Sequence, residues 1–137
     1  MIVIDASALT KYVLHEENWK DVASFIRERK PLYSIDHVLK EVGNAIWKHS
    51  YLRKMIPKNT ALTLYTRVLR LAETRVLQLE PEEKYLTAAL EIALIQGTTF
   101  YDSLYIAQAL KHGELLTSDE KQAKIASILD IKTYFIK

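Results

Sequence analysis

The stretch FYDSLYIAQALKHGELLTSD, Phe100 to Asp119, decides the fold. An acid, Asp102, stands at the mouth of a helix that reads from Ser103 to Lys111, with Leu104, Ile106, Ala107 and Leu110 as its apolar face. Gly113 ends that helix. Leu115 to Ser118 then reads as a short strand, and a second acid, Asp119, closes it. A helix start and a strand end share the carboxyl edge of a parallel α/β sheet, the edge at which such folds bind ligands. The rest of the chain therefore matters for the acids it delivers to that edge.

The N-terminal end repeats the pattern. Ile2-Val3-Ile4 is a continuous β-branched run, the signature of a strand buried on both faces. Asp5 follows it, and a helix reads from Ala6 to about Leu14. Asp5 serves equally well as a helix N-cap and as a site acid, and the two roles are compatible. Ser7 in the first turn is placed to fill a gap or to hold a carboxylate. Asn18 to Arg29 is a second amphipathic helix, stopped by Pro31.

Leu32 to Ile35 reads as a strand, and Asp36 as the cap of the next helix, His37 to about Arg53, which carries Val38, Leu39, Val42, Ala45 and Ile46 inward. Glu41 lies one turn in. Alone, it reads as a first-turn acid complementing the helix dipole. Asn44, three residues on, is a helical neighbour able to hydrogen-bond it. Pro57 opens a helix ending near Glu73, and Val76 to Leu79 is a strand. A helix from Glu82 to Gln96 starts behind Pro81, turns Leu86, Ala89, Leu90, Ala93 and Leu94 inward, and ends at Gly97. Glu120 to Leu129 is the last helix, and Ile131 to Ile136 a final strand at a sheet edge. Alternating strands and helices give an α/β fold, a parallel sheet between two helical layers with right-handed crossovers.

A chain of 137 residues fits one domain, residues 1–137. The absence of cysteine excludes a disulfide scaffold and a thiolate metal site. The N-terminus has neither a basic segment nor the long apolar run of a signal peptide, and no run of about 20 apolar residues is present, so the expected location is cytoplasmic. Charge is uneven. Between Lys48 and Arg75 there are seven basic residues (Lys48, Arg53, Lys54, Lys58, Arg67, Arg70, Arg75) and one acid, Glu73. This helical hairpin is either a solvated face or a footprint for a polyanion, with Tyr51 and Tyr65 able to stack on bases or to pack.

Asp5, Asp102 and Asp119 occupy equivalent positions, and Glu41 sits one turn into a helix that leaves a strand. Four carboxylates at one edge raise one another's pKa values, and a bound divalent cation relieves this. An all-oxygen ligand set suits Mg²⁺ or Mn²⁺ rather than zinc. No Ser/His/Asp constellation and no glycine-rich phosphate loop competes. His15, His37, His49 and His112 show no ligand spacing and read as structural or surface residues. A phospho-acceptor receiver domain pairs acids beside its first strand, whereas Asp5 stands alone. A haloacid-dehalogenase-type phosphatase needs an Asp at position 7, which is Ser. A scaffold whose acids merely cap helices is the remaining alternative.

The segments IVIDAS (Ile2–Ser7), EVGNAIWK (Glu41–Lys48), YDSLYIAQA (Tyr101–Ala109) and LLTSD (Leu115–Asp119), in that order and spacing, resemble the PIN-domain ribonucleases, specifically the VapC-type toxins of toxin–antitoxin pairs. The resemblance covers essentially the whole chain. It implies a three-layer α/β/α fold with a central parallel sheet of about five strands. It implies Asp5, Glu41, Asp102 and Asp119 as metal-binding catalytic acids, with Ser7, Asn44 and Thr117 as small polar supports. It further implies Mg²⁺- or Mn²⁺-dependent endonucleolytic hydrolysis of RNA, a homodimer, and a small VapB-like antitoxin that blocks the acidic pocket. Lys48, Arg53, Lys54, Lys58, Arg67 and Arg70 are then the residues expected to grip RNA. A catalytically inactive PIN-like module that binds RNA or protein is the alternative. Glu120 adds an acid beside Asp119.

Overall fold

Ile2–Ile4 (β1) offers no polar side chain to either face, and the structure, a computed structural model describing residues 1–137, buries it completely between two helical layers. Four more strands join it: Leu32–Ile35 (β2), Leu77–Glu80 (β3), Glu114–Thr117 (β4) and Lys132–Phe135 (β5). All pairings are parallel, in the order β3-β2-β1-β4-β5. The chain steps outward from β1 to β2 and β3, then crosses back to lay β4 on the other side of β1. The direction of winding therefore reverses between β1 and β4, and a crevice opens there at the carboxyl ends.

The helices fill both faces. Ala6–Leu14 (α1), Trp19–Arg29 (α2), Val38–Trp47 (α3) and Lys58–Glu73 (α4) lie between β1 and β3 in the chain. Ile2 and Ile4 pack with Leu9, Val22, Ile26, Val42 and Val68 from this group. Leu86–Gln96 (α5), Phe100–His112 (α6) and Glu120–Ile128 (α7) follow. Val3, which points opposite to its neighbours, meets Leu115, Ile106, Ala109, Ile125 and Ala126. Gly97 and Gly113 close α5 and α6 in the left-handed conformation, at φ 71° and 101°, which a side chain would resist.

Several boundaries differ from the sequence reading. The third helix ends at Trp47 and continues as a single π turn, Lys48–Leu52. Asp36 does not cap it: the pairing of Ile35 with Glu80 brings Glu82 alongside, and Asp36 Oδ1 accepts the Glu82 N–H at 3.1 Å. The segment after Pro81 begins as a 3₁₀ turn, Glu82–Tyr85, before α5. Within α5 only Ala89 is fully buried, while Leu86, Leu90, Leu94 and Ile95 are exposed. Apolar residues surround the narrow polar strip of Thr87 and Glu91, and so broad an apolar pattern does not reveal which side packs. The sixth helix starts at Phe100, three residues before its expected start, because Thr99 caps it through the Asp102 N–H. Ser103 to Ala109 are buried all round, and Leu110, expected inside, is exposed.

One buried polar knot ties α6 to the sheet edge. Glu80 Oε1 accepts from Tyr85 Oη (2.8 Å) and Gln108 Nε2 (2.9 Å) and meets His112 Nε2 at 2.6 Å. Burial opposes the charge, but the hydrogen bonds from Gln108, His112, Tyr85 and Lys84 outweigh it and hold the carboxyl at about 2.

Candidate active site

Asp5 follows β1 and caps α1. Its Oδ1 accepts the Ala8 N–H at 3.1 Å and the Ser7 hydroxyl at 2.7 Å, and its Oδ2 accepts the Thr117 hydroxyl. Ser7 Oγ lies 3.2 Å from Thr117 Oγ1 and accepts the Ser118 N–H, and Thr117 accepts the Asp119 N–H at 3.0 Å. These bonds fasten the end of β1 to the end of β4. Asp119 then caps α7 through the Gln122 N–H.

Glu41 reaches the same place from α3, where Tyr105 of α6 donates its hydroxyl to Oε1 at 2.8 Å. His37 Nε2 stands 3.5 Å from that oxygen. Asp102 occupies the first turn of α6. Asp5, Glu41, Asp102 and Asp119 line one cavity of about 370 Å³, with Ser7, Thr10, Lys11, Glu16, Tyr105 and Ser118 in its wall.

Burial pushes the Asp5 carboxyl up to about 6, against the hydrogen bonds from Thr117, Ser7 and Ala8, and Asp119 adds to the rise. Relative to its ordinary value this is roughly 3 kcal/mol against the ionised form at neutral pH. An N-cap contributes only about 1 kcal/mol, and Ser or Asn would cap α1 with no such penalty. Capping alone therefore does not account for an acid here. Glu41 and Asp102 are raised as well, first by burial. Tyr105 and His37 pull Glu41 back and Asp102 raises it; Thr99 and Lys121 pull Asp102 back and Asp119 raises it.

The acids are thus coupled around one space, which a divalent cation would neutralise. As the side chains stand, no three such groups converge tightly enough to grip an ion. Glu41 Oε2 and Asp119 Oδ2 accept no hydrogen bond, so the oxygen donor set retains free positions for one.

The remaining expected residues fall elsewhere. Asn44 is exposed and makes no side-chain hydrogen bond, since Glu41 turns to Tyr105 instead. None of Lys48, Arg53, Lys54, Lys58, Arg67 and Arg70 lines the acid cavity. Lys54 and Lys58 border a larger groove of about 830 Å³ between the π turn and α4, walled by Ile46, Trp47, Tyr51, Met55 and Leu62. Its floor is Tyr65, whose hydroxyl bonds Leu39 O at 2.8 Å; a Cβ on Gly43 would press to 3.1 Å from that ring. Arg67 lies beside Tyr12 and His15 in a third, smaller hollow.

Among known proteins, the PIN domain family matches residues 2–128. The chain belongs to the PIN domain family. Two relatives from Pyrobaculum aerophilum carry VapC names, as the motif resemblance anticipated. Ribonuclease VapC3 is 29% identical over 90% of this chain and 92% of its own length. Exonuclease VapC9 is 28% identical over 98% of this chain and 93% of its own length. The crystal structure of PAE2754 from the same organism shares the fold, with a TM-score of 0.64 at 23% identity over 90% of this chain and 83% of that one.

The sequence reading singled out neither Tyr105, Thr10, Lys11 and Glu16, which line this PIN domain's cavity, nor His37 beside Glu41. Tyr105 lies one turn after Asp102 on the same helix. Thr10 and Lys11 lie one turn after Ser7, and this polar stripe, Ser7-Thr10-Lys11, was the available signal. His37, taken for a surface or structural residue, stands beside Glu41, with Tyr101 stacked on its ring at 4.7 Å between centroids.

The Asp5 carboxyl gives a stability test. The folded chain keeps its Asp5 proton up to about pH 6, the unfolded chain only to 3.8. Between those values the folded state binds more protons, so this residue's contribution to stability falls as pH rises. In the absence of divalent cation, Asp5→Asn should gain on the wild type by up to about 3 kcal/mol between about pH 4 and about pH 7. Urea denaturation across that range checks this; a constant difference between the two proteins contradicts a buried, destabilised carboxylate.

Proposed function

We propose that residues 1–137 form a single nuclease domain that hydrolyses RNA phosphodiester bonds internally with the help of Mg²⁺ or Mn²⁺, as the toxin of a toxin–antitoxin pair acting in the cytoplasm. The observation that carries this is the gathering of four acids from four different elements into one cavity at the winding reversal of the sheet. The VapC names of the relatives support it. Asp5, Glu41, Asp102 and Asp119 would hold the ion or ions. A divalent cation in such a site polarises a phosphodiester and makes water a better nucleophile.

The chain's own groups do the positioning. Ser7 and Thr117 fix the Asp5 carboxylate between β1 and β4. Tyr105, whose phenol is pushed upward by burial and by Glu41, stays protonated and holds Glu41 in place. The cations of the basic hairpin, which form no ion pairs, attract the polyanion from a distance rather than gripping it in the cavity.

Two protein contacts belong to this reading. The exposed Leu86, Leu90 and Leu94 recur at helical spacing on α5, with Leu94 77% and Ile95 78% exposed; a second copy of the chain covers them in a homodimer. The groove beside α4 joins exposed Trp47, Tyr51, Met55 and Leu62 to unpaired Lys54 and Lys58. This combination fits an amphipathic, acidic segment of the antitoxin.

The nuclease is tested with a circular RNA, which has no ends. Linearisation should require Mg²⁺ or Mn²⁺, stop with EDTA and drop by about a hundredfold or more in Asp102→Asn. Full activity in that variant removes the site assignment, and degradation confined to linear RNA makes the enzyme an exonuclease. Light scattering should give the wild type twice the mass of one chain and Leu94→Glu the mass of one; an unchanged mass places the dimer elsewhere or denies it. Trp47→Ser with Leu62→Ser should leave cleavage intact but relieve its inhibition by the antitoxin. Persistent inhibition would clear the groove of that role.

A further inference from the structure

Lys11 is the one lysine or arginine that lines the acid cavity, and the reading above gives it no task. It lies on α1 one turn after Ser7, about 6 Å along the helix axis. The residue is only 9% exposed. Its ammonium donates a single hydrogen bond, to the Glu17 carbonyl at 2.9 Å, and stands in no ion pair. An ammonium has three donors, and burying one with no counter-charge is unfavourable. Holding the Glu16–Glu17 turn does not require a charge in this cavity; an apolar side chain would fill the place with no charge to desolvate.

We propose that Lys11 binds the phosphate adjacent to the scissile one. The inference rests on the nuclease reading and sharpens its substrate: a strand with at least two consecutive phosphodiesters rather than an isolated one. Lys11 lines the same cavity as Asp5, Asp102 and Asp119, one helical turn beyond Ser7, whose hydroxyl bonds the Asp5 carboxylate. Successive phosphates on a strand are one nucleotide apart, a distance of the same order as the turn between Ser7 and Lys11. A phosphodiester held at the acids therefore has a neighbouring phosphate within one nucleotide's reach of this ammonium. A compact cation with two donors to spare suits a phosphate oxygen.

The test compares a dinucleoside monophosphate with a trinucleoside diphosphate, and with the two trimers in which one linkage is a neutral, uncleavable methylphosphonate. The wild type should cleave the trimer about tenfold or more faster than the dimer, and neutralising the linkage on one side should abolish that advantage. In Lys11→Met the advantage should shrink to within about twofold, because the trimer loses more than the dimer. Binding of the trimer by Asp102→Asn, read by fluorescence anisotropy, should weaken by a similar factor when Lys11→Met is added. The methylphosphonate comparison uses only wild-type protein and stands if Lys11→Met fails to fold. Equal losses on dimer and trimer, or indifference to both methylphosphonates, overturn the proposal while leaving the nuclease intact. A wild type that cleaves no RNA overturns the nuclease reading and this inference together.

Discussion

The candidate site depends on the pairing of β1 with β4. These strands are far apart in sequence, yet Ile4 lies in register with Leu116 and the Asp5 N–H bonds the Leu116 carbonyl at 3.2 Å. The pairing creates the winding reversal, and so the crevice, at one stroke. It also brings Thr117 within reach of Asp5 and Ser7. The resulting hydrogen bonds occupy both oxygens of a carboxylate that is only 3% exposed, fixing its orientation without neutralising it.

Around this seam the fold accumulates negative charge that it does not itself compensate. Asp5, Glu41 and Asp102 are all raised by burial and by an acidic neighbour. Glu80 shows how the same chain treats a carboxylate meant for structure. It too is nearly buried, but four donors converge on it and its pKa falls. The contrast is between a satisfied acid and a set of strained ones. Strained acids gathered in a cavity mark a site shaped for something positively charged.

Much of this was legible in the sequence. Ile2-Val3-Ile4 can only be a strand covered on both faces, and Asp102, Gly113 and Asp119 bracket a helix and a strand that share an edge. The alternation of elements fixes the parallel sheet and hence the edge to which the acids go. What escaped depends on contacts between elements distant in the chain. Asp36 lost its expected helix cap to an N–H that only the β2–β3 pairing brings near. Asn44 lost Glu41 to a tyrosine on another helix. The outward face of α5 was unreadable because Leu86, Leu90, Leu94 and Ile95 flank the narrow polar strip of Thr87 and Glu91 with apolar side chains.

The basic hairpin contributes no side chain to the acid cavity. Local charge suggested a place at the active centre, but in space Lys54 and Lys58 border an apolar groove, Arg67 lines another hollow, and Lys11 is the one Lys or Arg in the acid cavity's wall. A cation within the acid cluster would compete with a metal for the same carboxylates. Cations held away from it raise the local concentration of a polyanion without that competition. Lys11 satisfies both demands, since its ammonium is tethered to the Glu17 carbonyl and pairs with none of the acids. The fold thus keeps one positive charge in the cavity without pairing it to any of the four carboxylates.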